Sequence, residues 1–335
     1  MAELGILWKI DRVSSVSGGS IVAGRLASCW ANLIATPTVE NYRQLIAEPL
    51  DDFCTRLVDA VAISKGALSP SRTAADVLES IYAEHLFAGR LGELPDHPVF
   101  VFMSTNMQSG RAFRFTKKRL ADYRIGEIPN PTLPIARAVA ASSAFPPFLS
   151  PVVLREPGTF KPFPGSDLNQ DPKYTRKIFL ADGGVYDNLG LEQVWERCKH
   201  VLVSDAGAPF AVGSNPGNDW VRQPMRALDI ATDQSRGLRK RWIIDRFEKG
   251  ERKGAYWGID TRIGDYGLGD ALPAHDQIVE PLARIRTRLD PFSDSHRGLL
   301  INWGYAVADA ALRTYASGLI SSSPAPQLPR AGYPL

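Results

Sequence analysis

One stretch near the start, Asp11-Arg-Val-Ser-Ser-Val-Ser-Gly-Gly-Ser-Ile-Val-Ala-Gly24, restricts the fold more than any other part of the chain. A short β-type run, Ile10 to Val16, meets Ser17, then Gly18 and Gly19, then a helical pattern of small residues. This is the layout of a nucleophile elbow, in which a strand turns sharply into a helix and the serine oxygen points out of the sheet edge. Helix and strand backbones approach closely at such a turn, so small residues are expected around it. The N–H of Gly18 then faces the same space at a helix N-terminus, where negative charge is favoured. The stretch departs from the G-x-S-x-G form, because Ser15 stands at the first glycine position while Gly19 keeps the second. The alternative reading is that Ser17 caps a helix and the glycines only allow packing.

The 335 residues, 44% hydrophobic and 22% charged, suffice for one large α/β domain or two small ones. A net charge of +3 selects no partner class. Cys29, Cys54 and Cys198 are far apart and odd in number, which gives neither metal spacing nor a disulfide framework and suits a reducing compartment. No run of about 18 apolar residues predicts a membrane span. The first residues lack the basic and apolar regions of a signal peptide, so the expectation is a cytoplasmic protein.

Along the chain, residues 1–9 read as the tail of a helix, 18–34 and 39–63 as helices, and Ser71 as the start of another whose apolar face holds Val77, Leu78, Ile81, Tyr82 and Leu86. Val99–Met103 has the continuous apolar character of a strand buried on both faces. Arg111–Phe115 alternates like a half-exposed strand, and Pro134 opens a small-residue helix that Pro146 and Pro147 stop. Strands follow at 177–181, 200–204 and from Trp257, with helices near 192–197, over 222–249 and over 296–317. Because strands alternate with helices, the predicted architecture is a three-layer α/β/α sandwich with a mainly parallel central sheet. One domain over 1–320 is expected, followed by a disordered Ser/Pro/Gly-rich tail over 321–335.

Sites in open α/β sheets form at the carboxyl ends of strands. Ser17 lies at one such end and Asp182 at another, where Gly183 and Gly184 let the chain turn away tightly. A serine hydroxyl needs a base to take its proton. A carboxylate is a weak base in water, and a dry pocket strengthens it. The structural alternative for Asp182 is a turn-forming Asp-Gly pair. A Ser–acid–His order would instead draw on His275 or His296, though neither has a recognisable context, and His200 starts its strand at the wrong end.

Ser-Val-Ser-Gly-Gly-Ser at 15–20 and Ala-Asp-Gly-Gly-Val-Tyr-Asp-Asn-Leu-Gly at 181–190, with Ala141-Ser-Ser-Ala-Phe-Pro-Pro147 between them, resemble the patatin-like phospholipases. Thr105-Asn, Gly110-Arg-Ala-Phe-Arg-Phe115 and Leu300-Ile-Asn-Trp-Gly-Tyr305 extend the resemblance, in the right order, over about 8–315. The resemblance implies hydrolysis of phospholipid or other lipid esters by a Ser17–Asp182 dyad through an acyl-enzyme, with Gly18 as an oxyanion amide, Gly19, Gly183 and Gly184 in support, and no metal or organic cofactor. Ser143, Phe145 and Pro146 are expected to shape the site wall. The family carries a Gly-Gly-Gly-x-Arg-Gly-like oxyanion loop before its elbow. Met1 stands only sixteen residues before Ser17, so a missing first strand and loop are expected. The alternative that follows is an impaired or inactive lipid-binding relative. Residues 236–253, with eight basic and three acidic side chains interleaved with Leu238, Trp242 and Ile243, could rest on an anionic membrane or simply pack with a solvated basic face. No motif supports nucleic-acid binding.

Overall fold

The serine stretch folds as a strand running straight into a helix: β1 (Arg12–Val16) and α1 (Gly18–Ala35) are separated by Ser17 alone. The structure is a computed structural model that describes residues 1–69 and 72–335. These divide into two units, Ile10–Arg197 with Leu289–Pro291, and Met1–Lys9 with Cys198–Arg288 and Phe292–Leu335.

In the first unit the single helix expected over 39–63 is broken. α2 (Val39–Tyr42), a wide helical turn at Arg43–Ala47 and α3 (Glu48–Phe53) end at Cys54, and α4 (Asp59–Leu68) starts afresh. The break is pinned by Leu289, whose carbonyl accepts the N–H groups of Val58 and Asp59 at 2.9 and 3.0 Å. The helix start expected at Ser71 lies outside the described residues. α5 (Ala74–His85) begins instead after Thr73, whose hydroxyl accepts the Asp76 N–H while the Asp76 carboxylate accepts the Thr73 N–H. This reciprocal pairing satisfies two of the donors that a helix start leaves open.

The central strand is β2 (Val99–Asn106), buried at every position after Val99. β3 (Arg111–Phe115), β4 (Arg119–Asp122) and β5 (Gly126–Pro129) follow it as a meander. After α6 (Ile135–Ser143) come β6 (Val152–Arg155), the short α7 (Pro172–Thr175), β7 (Lys177–Asp182) and α8 (Gly184–Asp187). The sheet order is β5-β4-β3-β2-β7-β6, with β1 also paired to β2.

This corrects the expected fold class. The α/β class holds, but the sheet is mainly antiparallel, and the parallel-sheet three-layer sandwich does not form. Among the described residues of this sheet only β1–β2 is parallel, while β2–β3, β3–β4, β4–β5, β2–β7 and β6–β7 are all antiparallel. Connection length decides the β2–β3, β3–β4 and β4–β5 pairings. Parallel neighbours need a crossover of about a dozen residues or more. The links 107–110, 116–118 and 123–125 are hairpin turns. The strands β4, β5 and β6 are too short to announce themselves by hydrophobic pattern, so the alternation of long elements alone suggested crossovers.

The second unit contains the parallel pair that alternation does predict: β8 (His200–Asp205), α9 (Arg222–Glu248) and β9 (Lys253–Gly258), with β8 and β9 in parallel register. β9 starts earlier than the strand expected from Trp257. α10 (Val279–Ala283) and α11 (Asp294–Tyr315) complete the unit. Trp303, Ala306, Val307 and Ala310 of α11 bury themselves with Leu4, Ile6, Ala255 and Trp257. Residues 1–9 form turns ending in the tight turn Leu7–Lys9, and a single tight turn at Leu191–Gln193 replaces the helix expected near 192–197. Residues 321–335 hold no helix or strand. Asn302 donates to the carbonyls of Arg330 and Tyr333, each at 2.7 Å, and accepts the Arg330 N–H at 2.9 Å. Among the described residues no helix is long and apolar enough to cross a membrane.

Candidate active site

Ser17 and Asp182 meet because two strands end head to head on one edge of β2. Phe102 and Met103 pair with both β1 and β3, and Ser104 to Asn106 pair with both β7 and β3, so β1 and β7 share the edge opposite β3. β1 runs along β2 until Val16 faces Met103. β7 runs the other way and stops with Asp182 facing Ser104. The residue after Val16 and the last residue of β7 therefore reach one junction, at the Met103–Ser104 step.

Ser17 occupies that junction with φ 52° and ψ −129°. A non-glycine residue in such a conformation costs about 1–3 kcal/mol and persists only where its surroundings hold it. Ser142, at the end of α6, supplies the hold: its carbonyl accepts the Ser17 N–H at 3.1 Å and its hydroxyl lies 3.2 Å from the same nitrogen. The Ser142 hydroxyl donates to the Met103 carbonyl at 2.6 Å and lies 2.8 Å from Ser20 Oγ. Ser20 donates to Ser15 Oγ at 2.9 Å, and Ser15 donates to the Val101 carbonyl at 3.3 Å. The off-pattern Ser15 is therefore part of a buried hydroxyl chain that ties the elbow to β2, which explains how serine replaces glycine there.

The glycines divide in a way the sequence does not announce. Gly18 and Gly19 were expected to be small because backbones crowd the turn, yet a Cβ on either would meet nothing within 4 Å. Both are exposed at the start of α1, where the first-turn N–H groups have no acceptor inside their own helix. The crowding lies on the aspartate side. A Cβ on Gly183 would sit 2.3 Å from the Met103 carbonyl oxygen, and one on Gly184 would sit 3.1 Å from Asp182 Oδ1.

Asp182 is 1% exposed. Its Oδ1 accepts the Gly184 N–H at 2.7 Å, whereas Oδ2 is buried with no hydrogen-bond partner. Burial raises its pKa from 3.8 to about 6, against the opposing pulls of the neighbouring Ser17 hydroxyl and the Gly184 amide. The Ser17 hydroxyl is thus near enough to act on the carboxylate, although Oδ2 takes no hydrogen bond of normal geometry. The Asp182 backbone is fixed on both sides: its N–H donates to the Ala144 carbonyl at 2.9 Å and its carbonyl accepts from Thr105 Oγ1 at 2.8 Å. Gly183 N–H donates to the Ser142 carbonyl at 3.2 Å.

Ser143, expected in the site wall, is buried. Tyr82 OH lies 3.0 Å from its hydroxyl, which donates to the Val139 carbonyl at 2.8 Å. Phe145 is exposed and Pro146 half-buried. The groups acting on Asp182 include no histidine, and His275 and His296 belong to the other unit. Sequence reasoning passed over Ser142, Ser20 and Tyr82. Ser142 lay inside the block Ala141–Pro147, but a helix-terminal serine carries no signal of its own until the strands it bridges are known. Among the described residues, no group of three or more His, Cys, Asp or Glu side chains is placed to hold a metal ion.

The elbow, the buried carboxylate and the hydroxyl chain behind them define an α/β protein with a serine–aspartate junction at a helix N-terminus. A sequence model of the patatin-like phospholipases matches residues 2–195, more than half of the chain, and the chain belongs to that family. Membership assigns it, at family level, to the patatin-like lipid hydrolases. No curated protein matches the chain.

Proposed function

We propose that this chain is a serine acyl hydrolase that cleaves lipid carboxylic esters, phospholipids among them, with Ser17 as nucleophile and Asp182 as base. The observation that carries the reading is the head-to-head strand junction, which sets a strained serine beside a buried carboxylate oxygen that has no other partner. In the first half-reaction Ser17 Oγ attacks the ester carbonyl while its proton passes to Asp182. The developing oxyanion draws on the Gly18 N–H and the positive end of α1. Collapse releases the alcohol, which takes the proton from Asp182, and leaves an acyl group on Ser17. Water then attacks the acyl-enzyme as Asp182 takes its proton; the tetrahedral intermediate collapses, its bond to Ser17 Oγ breaks, Asp182 returns the proton to that oxygen, and the fatty acid leaves. Burial supports the base role, because a carboxyl titrating near 6 holds a proton far better than an ordinary one yet is charged at neutral pH.

A peripheral contact with an anionic membrane in a cytoplasmic setting fits the same reading. Along α9 the buried residues are Arg236 and Ile243, while Leu238 and Trp242 are exposed among the basic side chains of 236–253. The test of function is hydrolysis of a short-chain nitrophenyl ester. Ser17→Ala and Asp182→Asn should each abolish it, and unchanged activity in either variant rules out the dyad.

A further inference from the structure

Asp182 and Ser104 are direct partners across the β2–β7 pair. Directly opposed residues of an antiparallel pair send their side chains to the same face, with Cβ atoms about 4.5–5.5 Å apart. Both are fully buried, at 1% and 0% exposure. Each carries a buried oxygen with no hydrogen-bond partner, Oδ2 of Asp182 and Oγ of Ser104. A serine hydroxyl has three staggered positions and one proton to give, and a carboxylate oxygen only accepts. Ser17, whose hydroxyl also acts on the carboxylate, is the group whose proton Oδ2 is to receive; the remaining neighbouring hydroxyls are committed, Thr105 to the Asp182 backbone carbonyl and the Tyr82 and Ser143 hydroxyls to one another.

We infer that Ser104 is a positioning residue for Asp182, its hydroxyl turning to donate to Oδ2 when the carboxylate is charged. The bond holds Oδ2 as the acceptor for the Ser17 proton and keeps the buried charge from being abandoned. Its catalytic meaning rests on the dyad proposed above, but the bond itself does not. The groups that face Asp182 from the surrounding elements are uncharged: Ser17 before α1, Ser104 and Thr105 of β2, the Gly184 amide, and Tyr82 of α5, whose phenol is held neutral by burial. Asp59 also acts on that phenol.

The experiment is a carbon-13 NMR titration of the full chain labelled at aspartate carboxyls, with the Asp182 signal assigned by its loss in Asp182→Asn. Removing a donor to a carboxylate raises its pKa. Ser104→Ala should therefore move the Asp182 midpoint upward by about half a pH unit or more, and Ser104→Thr, which keeps the hydroxyl, should leave it in place. Should Ser104→Ala fail to fold, Ser104→Cys, similar in size with a weak donor, should give the same upward shift. An unmoved midpoint in the folded Ala or Cys variant, or an equal shift in Ser104→Thr, overturns the inference. The titration needs no turnover, so it stands or falls separately from the hydrolase reading, which the ester assay decides.

Discussion

Ser142 receives the backbone N–H of Ser17 on both of its oxygens, the carbonyl at 3.1 Å and the hydroxyl at 3.2 Å. The same carbonyl takes the Gly183 N–H, so the elbow and the aspartate turn are fastened at one helix end. Ser142→Ala removes the hydroxyl and its 2.6 Å bond to the Met103 carbonyl. A buried hydrogen bond lost in this way costs about 1–3 kcal/mol. Urea unfolding should show a loss of that size, and ester hydrolysis should fall at least tenfold even where the variant is fully folded, because the strained Ser17 loses one of the two oxygens that hold its N–H and the tie from Ser142 to β2 is gone.

The glycines of the two motifs should respond oppositely to alanine. Gly183→Ala drives a methyl against backbone at 2.3 Å and should cost about 2 kcal/mol or more in urea unfolding. Gly18→Ala and Gly19→Ala meet open space and should leave stability unchanged or raise it by up to about 1 kcal/mol each, as alanine does in a helix. A loss of stability at position 18 or 19 would contradict the open geometry.

The buried Asp182 carboxyl makes stability depend on pH. Its folded pKa, about 6, lies above its ordinary value of 3.8, so the folded state keeps a proton that the unfolded chain gives up between pH 4 and 6. Stability therefore falls as pH rises through that window, by up to about 3 kcal/mol, and the cost is constant above it. Asp182→Asn carries no charge to bury. Relative to the parent chain it should be more stable at pH 8, by an amount that shrinks towards pH 4, as read by denaturant midpoints. A gap independent of pH would contradict a raised Asp182 pKa.

Hydrolysis should need the charged form of Asp182. The rate at limiting substrate should rise with pH through a midpoint near 6 and level off above it. A rising limb centred near 4 would mean that the carboxyl is not buried as described.

Parts of this arrangement were legible in the sequence for physical reasons. The strand–serine–glycine stretch and the Asp-Gly-Gly turn are local, and β1, α1, β3 and β7 fall within a residue or two of where their patterns put them. The long-range pairings were not legible. Arg119–Asp122, Gly126–Pro129 and Val152–Arg155 are four-residue strands with little alternation, and without them the sheet reads as parallel. For the same reason Ser104 and Ser142 carry no signal: each matters only through the residue that the antiparallel register brings opposite or beside it.

Covalent labelling tests the central claim most directly. A fluorophosphonate probe should react with the folded chain at Ser17, located by peptide mass spectrometry. Ser17→Ala should take up none, and Asp182→Asn should react at least a hundredfold more slowly. A folded chain that takes no probe at Ser17, or that reacts equally fast without the Asp182 carboxylate, would contradict the dyad.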